Sequence, residues 1–225
     1  MKRILGIAAA AMILLASSTW GQTGVGESYH GPGVGHATDI IYPANTRTTG
    51  IVTLDVSVDA TGAVQNVAVV RDVPPLTSVA QSAVRGWQFT PAMVNGQSAP
   101  GLVRVNVVFN PFNLSGVGLP SLSLQPANSS GAPSNGDFQP AQVIAASYAV
   151  YPPHTTNAGT VVLQLHVGSD GKVHGQIVAL GTGSLSGTAA RAVKNWHFKP
   201  ASYRGKAVAS DVVIAYVFAP PSGTM

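Results

Sequence analysis

Residues 83–92 read AVRGWQFTPA, and residues 192–201 read AVKNWHFKPA. Shifting the chain by 109 residues aligns 42–109 with 151–218 without a gap, and 22 of the 68 aligned positions are identical. The identical positions are large apolar residues, turn glycines and prolines, whereas the positions typical of a surface differ. The chain therefore contains two copies of one small unit.

Each copy opens with a pattern typical of a β-hairpin. Apolar residues alternate with other residues up to a turn that contains glycine, as they do in a half-buried strand. In the second copy, a three-residue loop ending at Gly171 sets Val167 opposite Val173, so that both side chains point inward. The same spacing in the first copy sets Val58 opposite Val64.

A helix and a last strand follow the hairpin in each copy. Apolar residues recur on one helical face: Leu76, Ala80, Ala83, Val84 and Trp87, and Leu185, Ala189, Ala192, Val193 and Trp196. We expect Pro91 and Pro200 to stop the helices, and the Trp and Phe rings of the quoted stretches to pack in the core. The predicted fold is α+β: two tandem small domains, each a three-stranded antiparallel sheet with one main helix and a short N-terminal helix.

The composition between and before the copies sets the expected boundaries. Lys2 and Arg3 precede the apolar run 4–16, which is shorter than the roughly 20 residues of a spanning helix. We expect 1–21 to be a cleaved signal peptide and the glycine-rich 22–37 to be disordered. The two domains are predicted at 38–110 and 147–220, joined by a Pro-, Ser- and Gly-rich linker at 111–146.

Composition excludes several kinds of site. The chain has no cysteine, so it contains no disulfide, no cysteine metal site and no thiol nucleophile. Lys and Arg number 12 and Asp and Glu number 8, and removal of the signal would leave a charge of about +2. Nucleic acid is not an expected partner, because phosphate binding needs a dense basic face. No catalytic constellation is present, so we expect no enzyme activity, no cofactor and no metal.

The repeated motif resembles the C-terminal domain of TonB-type energy transducers. It runs Tyr-Pro, Gly-x-Val-x-Leu-x-Val, a turn with Gly, a helix starting at Leu, and Trp-x-Phe-x-Pro-Ala, and it occurs in both copies. The resemblance implies a three-stranded sheet with two helices, a periplasmic location, and binding of a short outer-membrane receptor segment by strand addition. The periplasm is therefore the expected location, and anchorage in the inner membrane, facing the periplasm, is the alternative if the N-terminal segment is retained.

The expected function is a periplasmic protein-binding module that contributes to TonB-dependent transport across the outer membrane. The expected partner is a TonB-dependent outer-membrane receptor. The alternative is a structural or envelope-assembly protein whose domains self-associate without transducing energy. The edge of the predicted sheet is the expected binding surface, because an unpaired strand accepts another strand.

The final strands are the predicted edges, because the two hairpin strands pair with each other. The partner-binding residues predicted on them are Val103, Val105, Val107, Phe109, Val212, Ile214, Tyr216 and Phe218. The second of these strands is the more apolar, and it has three possible occupants: a receptor segment, the other copy or a second molecule.

The second copy has two further candidate sites, a basic patch and a histidine pair. Basic residues around its helix and the following turn are a possible patch for an acidic partner: Arg191, Lys194, Lys199, Arg204 and Lys206. The predicted hairpin register sets His166 opposite His174 on the outward face, a spacing that suits a shared metal. The sequence offers no third ligand, so a solvated pair is favoured.

Overall fold

The hairpin, helix and last strand of each copy form as the sequence predicts, with additional short strands around them. The computed structural model describes residues 29–44, 46–110, 122–124, 138–152, 155 and 157–219. The elements up to residue 110 are β1 Tyr29–His30, β2 Gly33–His36, β3 Gly50–Val58, β4 Val64–Arg71, α1 Leu76–Arg85, β5 Gln88–Thr90, β6 Ala92–Val94, β7 Gln97–Ala99 and β8 Gly101–Asn110. The later elements are β9 Leu122–Ser123, β10 Phe138–Gln139, β11 Gln142–Ala146, β12 Gly159–Val167, β13 Val173–Leu180, α2 Gly183–Ala192, a 3-10 turn Val193–Asn195, β14 His197–Lys199, β15 Ala201–Tyr203, β16 Lys206–Val208 and β17 Ser210–Phe218.

One six-stranded sheet runs through both copies. Its strand order is β13-β12-β17-β8-β3-β4, so each copy contributes three strands. Neighbouring strands within a copy are antiparallel. The central pair, β17 and β8, is parallel and joins the copies. The protein is therefore α+β and mostly β, and the two units that the sequence predicts as separate domains share a sheet.

The predicted hairpin register is confirmed in both copies. Val58 faces Val64, and Val167 faces Val173. In each loop, the backbone N–H of the last residue, Gly62 or Gly171, donates to the carbonyl three residues earlier. Both glycines have a positive φ, 93° at Gly62 and 76° at Gly171. A side chain at Gly62 would place its Cβ 2.0 Å from the Phe89 carbonyl oxygen, so the loop packs tightly against β5.

The helices end earlier than the prolines predict. α1 ends at Arg85, and the helical part of the second copy ends at Asn195, so Pro91 and Pro200 are not helix stops. The short strands β5 and β14 stand between each helix and its proline. The backbone N–H of Phe89 donates to the Gly62 carbonyl at 3.1 Å, a bond that needs extended chain at this point.

Strands also form in segments for which the sequence predicts disorder or a linker. β1 pairs with β6 and β2 pairs with β5, so the expected disorder of 22–37 is wrong for residues 29–37. In the predicted linker 111–146, the strands β10 and β11 repeat this arrangement by pairing with β15 and β14. The described residues between β2 and β3, and those between β11 and β12, form no helix, in contrast to the predicted short N-terminal helix.

The sheet carries one apolar core on each face. α1 packs over Val52, Leu54 and Val56 of its own copy, whereas α2 packs over Leu163 and Leu165 on the opposite face. A one-residue offset produces this arrangement. β17 pairs with β8 at a separation of 108 residues, one less than the repeat, and a shift of one residue turns every side chain of a strand to the other face.

Candidate functional site

The final strands, predicted as partner-binding edges, lie in the middle of the sheet. Seven residues of β17, from Val212 to Phe218, pair with Arg104 to Asn110 of β8. The prediction that these strands are free edges is therefore wrong. Of the three occupants that the sequence left open for the second strand, the structure places the other copy there. The two final strands pair because each then satisfies the backbone donors and acceptors of the other.

The side chains predicted for partner binding belong to the two cores. All are buried: Val103, Val105, Val107, Phe109, Val212, Ile214, Tyr216 and Phe218. The first four pack in the core under α1, and the last four in the core under α2. Burial strongly raises the pKa of the Tyr216 hydroxyl, which donates to the Ser147 carbonyl at 2.8 Å. These residues hold the copies together and present no surface to a partner.

The chain preceding each copy's first long strand, here called its arm, bonds to the other copy. The arms are residues 29–41 and 138–150. Ile40 in the first arm donates its N–H to the Thr160 hydroxyl at 2.8 Å, and that hydroxyl donates back to the Ile40 carbonyl at 3.2 Å. Ala149, at the equivalent position in the second arm, makes the same two contacts with the Asn110 amide at 3.0 and 2.8 Å. The arms therefore cross between the copies.

The two repeated tryptophans tie each arm to its own copy. Trp87 Nε1 donates to the Thr38 carbonyl and Trp196 Nε1 to the Ser147 carbonyl, each at 3.2 Å. Both rings are buried, as core packing predicts.

A buried ion pair lies under the second arm. Arg104 Nε and Nη2 donate to the two Asp55 carboxylate oxygens, both at 2.7 Å, with the residues 2% and 0% exposed. Arg104 Nη1 also reaches the Ala141 carbonyl of the arm at 3.4 Å. The second copy has Gln164 and Val213 at the equivalent positions, so the ion pair belongs to the first copy alone.

The outer edges of the sheet are β4 and β13, the second strands of the two hairpins. They differ in how well they are covered. In β4, Val67 is buried, and Gln81 of α1 donates to its carbonyl at 2.8 Å. Ala190 occupies the position equivalent to Gln81, and an alanine side chain has no group that could donate to β13.

β13 is the more exposed edge. Ile177 is 66% exposed and Val178 is 47% exposed, and residues 173–180 include no Lys, Arg, Asp or Glu. These two residues are not among the predicted site residues, because only the final strand was expected to be the free edge. A three-stranded sheet has two edges, and the run of four apolar residues starting at Ile177 was a readable signal of the other one.

The two hairpin histidines are not paired with each other. His166 faces Gly175 across the ladder and contacts Asp211 at 3.1 Å, while His174 contacts Asp170 at 3.0 Å. Hydrogen bonds from the Lys172 N–H and the His174 ring lower the pKa of Asp170. Within the described ranges, no three His, Asp or Glu side chains are grouped closely enough to hold a metal ion.

The basic residues of the second copy are all exposed, and their role as a patch stays a prediction: Arg191, Lys194, Lys199, Arg204 and Lys206. The Arg204 guanidinium lies 5.0 Å from the centre of the Tyr203 ring.

Among the residues that the structure describes, none of the helices has the length and apolar character needed to cross a membrane. The predicted signal peptide lies outside the described residues.

Comparison with known proteins identifies both copies. The family model of the Gram-negative bacterial TonB protein C-terminal matches residues 41–111 and 148–220, which together make up more than half of the chain. These ranges coincide with the two copies found by self-comparison. No curated protein and no solved structure matches the chain.

Proposed function

Since the chain belongs to the TonB C-terminal family, we propose that it is an exported protein-binding module of the periplasm. Two copies of a protein-interaction domain make up most of it. The short N-terminal apolar run favours export, and the low charge of the chain suits an uncharged polar surface that meets other proteins. The proposed partner is a segment of an outer-membrane protein, with a TonB-dependent receptor as the first choice.

The mode of binding is strand addition at the outer edges of the six-stranded sheet. The observation that carries this is the central position of the final strands: β8 and β17 each have a neighbour on both sides, and a partner strand has no access to them. Backbone donors and acceptors remain accessible only on β4 and β13 within this sheet. An extended segment that adds to either edge gains main-chain hydrogen bonds, and the exposed side chains supply specificity.

A second function, envelope assembly by self-association, is favoured by the same central pairing. The chain already uses strand pairing to join two copies of its own domain. A protein of this kind would connect identical modules and would not transmit energy to a receptor. The nature of the captured partners separates the two functions.

The test is capture from a Gram-negative envelope fraction with the tagged full chain, followed by hydrogen exchange on the complex. We expect outer-membrane proteins among the captured partners, and slower amide exchange in β4 or β13 once the partner is bound. Exchange in β8 and β17 should be unchanged, since their amides are already paired. A complex in which neither outer edge gains protection would contradict strand addition. Capture of no envelope protein would contradict the binding function itself.

A further inference from the structure

We propose that β13 pairs antiparallel with β13 of a second copy of this chain, around a twofold axis at Ile177. The proposal rests on the proposed function, in which the outer edges accept strands, and it names the occupant of one of them. A dimer with one continuous sheet results. Two observations support this dimer: the two outer edges are unequally protected, and the sequence of β13 can pair with itself.

The two edges differ in the features that keep a strand from pairing. β4 ends in Arg71 and is followed by Asp72, whereas β13 ends in Leu180 and is followed by Gly181. Gln81 occupies a backbone carbonyl of β4. Natural edges are protected by charges, by covering groups and by irregularity. β13 contains no charged residue, and Ala190 replaces Gln81 in its helix. β13 is therefore the edge that is better able to pair with another strand.

The geometry of β13 limits where a second strand fits. Against β12, the register shifts at His174 and at Ala179, which leaves a regular stretch from Gly175 to Val178. Ile177 stands opposite Gln164, on the sheet face that carries α1. Gln176 and Val178 stand opposite Leu165 and Leu163, on the face that carries α2.

A twofold axis at Ile177 matches these faces. Directly opposed residues in an antiparallel pair lie on the same face, so Ile177 meets Ile177, and Gln176 meets Val178. Two half-exposed apolar side chains are thereby covered on each molecule. No charged residue lies in 173–180, so the pairing brings no like charges together.

The symmetry also explains why the occupant is a second copy. An isologous contact uses the same edge on both molecules and closes on itself. Within the six-stranded sheet, β13 is the less protected of the two outer edges, and after pairing the sheet of the dimer has the two β4 strands as its edges. Association therefore stops at two chains and does not continue into a filament.

The first test is analytical ultracentrifugation of the full chain over a micromolar to millimolar series. We expect a concentration-dependent dimer. Ile177→Lys, at an exposed position, would set two ammonium groups opposite each other and raise the dimer Kd about tenfold or more. Val69→Lys is the matched control: Val69 is 43% exposed and lies on the other edge. It should shift the Kd by no more than about twofold. Circular dichroism checks that both variants are folded.

The second test uses the absence of cysteine in the chain. Under the proposed register, the two Cys side chains of Ile177→Cys lie across a directly opposed pair, with Cα atoms roughly 4.5–5.5 Å apart, within disulfide reach. Those of Val178→Cys lie on a diagonal at roughly 7–8 Å, at or beyond the limit of that reach. Ile177→Cys should therefore cross-link at least about tenfold faster under the same oxidant.

The outcomes separate the inference from the function on which it rests. A wild-type chain that stays monomeric across the series overturns the dimer, as does equal loss of dimer in the two lysine variants. Faster cross-linking at Val178→Cys than at Ile177→Cys overturns the register. If β13 is protected by an envelope segment while the chain is monomeric, the proposed function stands and the second copy is the wrong occupant.

Discussion

The buried ion pair of Arg104 and Asp55 gives a direct test of how the first copy holds a charge beneath the second arm. Asp55→Asn leaves the shape of the site nearly unchanged and removes only the negative charge. The guanidinium then stays in a site that is 2% exposed, with two donors that had been 2.7 Å from carboxylate oxygens. Removing one partner of a buried pair costs about 3–5 kcal/mol, because the remaining charge is uncompensated.

A double replacement separates the cost of the lone charge from the worth of the pair. Asp55→Leu with Arg104→Met removes both charges and keeps much of the volume. The second copy already has Val213, fully buried, at the position equivalent to Arg104, so the sheet accepts an apolar residue there. Buried pairs replaced in this way are often neutral or stabilising. We therefore expect the double variant to unfold within about 1 kcal/mol of the wild type.

The measurement is urea unfolding at fixed salt, followed by tryptophan fluorescence and far-ultraviolet circular dichroism. Coincident transitions license a single free energy of unfolding, extrapolated linearly to water. If Asp55→Asn lies within about 1 kcal/mol of the wild type, the charge is not confined as described. If the double variant is as unstable as Asp55→Asn, the pair itself contributes most of the stability, and the reasoning about desolvation is refuted.

Two further predictions concern a loop and a tyrosine. Gly171 and Gly205 share a φ of 76°, but a Cβ at Gly171 would lie 2.1 Å from the Phe198 carbonyl oxygen, whereas nothing lies within 4 Å of one at Gly205. In urea unfolding, Gly205→Ala should lower the free energy of unfolding by about 1–2 kcal/mol, and Gly171→Ala should lower it by clearly more. Equal losses would show that the loop of Gly171 is not packed against β14. Burial raises the pKa of Tyr29 to about 12 from 10.0. The protonated Tyr29 hydroxyl therefore contributes stability that is complete below pH 10 and is lost between pH 10 and 12. Tyr29→Phe should make the fall of Tm in that pH range less steep. An unchanged Tm profile would count against a buried hydroxyl.

Local patterns in the sequence were sufficient to predict the hairpin, the main helix and the last strand of each copy. The repeat, the three-residue hairpin loops and the burial of Trp87 and Trp196 all follow from periodicity and turn chemistry over short distances. The helix ends did not follow, because proline is only one reason for a helix to stop. Here the contact between the Phe89 backbone and Gly62 draws the chain into an extended form before Pro91 is reached.

The joining of the copies was harder to predict because it depends on pairing between distant strands. A signal was present: Val212 to Phe218 is apolar throughout, as is typical of a strand covered on both faces in a parallel pair. An apolar strand at the edge of a three-stranded sheet would show the same run of residues, which is why a free edge was predicted there. In the first copy, Arg104 and Asn106 interrupt the apolar residues, and this alternation hid the same burial. Arg104 donates to Asp55, and the Asn106 side-chain oxygen accepts from the Thr53 hydroxyl, partners that lie far away along the chain.

The arms were missed because their sequences diverge more than the rest of the repeat. The shift of 109 residues continues to align them, with Val34 on Val143 and Ala37 on Ala146, but few other positions agree. Glycine-rich composition in the first arm then suggested disorder. The candidate edge β13 was missed for a different reason, since the choice between two edges depends on which strand finds a neighbour in the complete sheet.

The crossing of the arms has a consequence for the time course of folding. Val34 and Ile40 bond to residues 130 and 120 positions further along the chain, so their contacts belong to the slow class in which a long loop must close first. During synthesis the first copy is complete long before the surface that receives its arm exists. Until then the arm and the backbone edge of β8 that pairs with β17 lack their partners, and an unpaired strand edge of this kind is prone to aggregation.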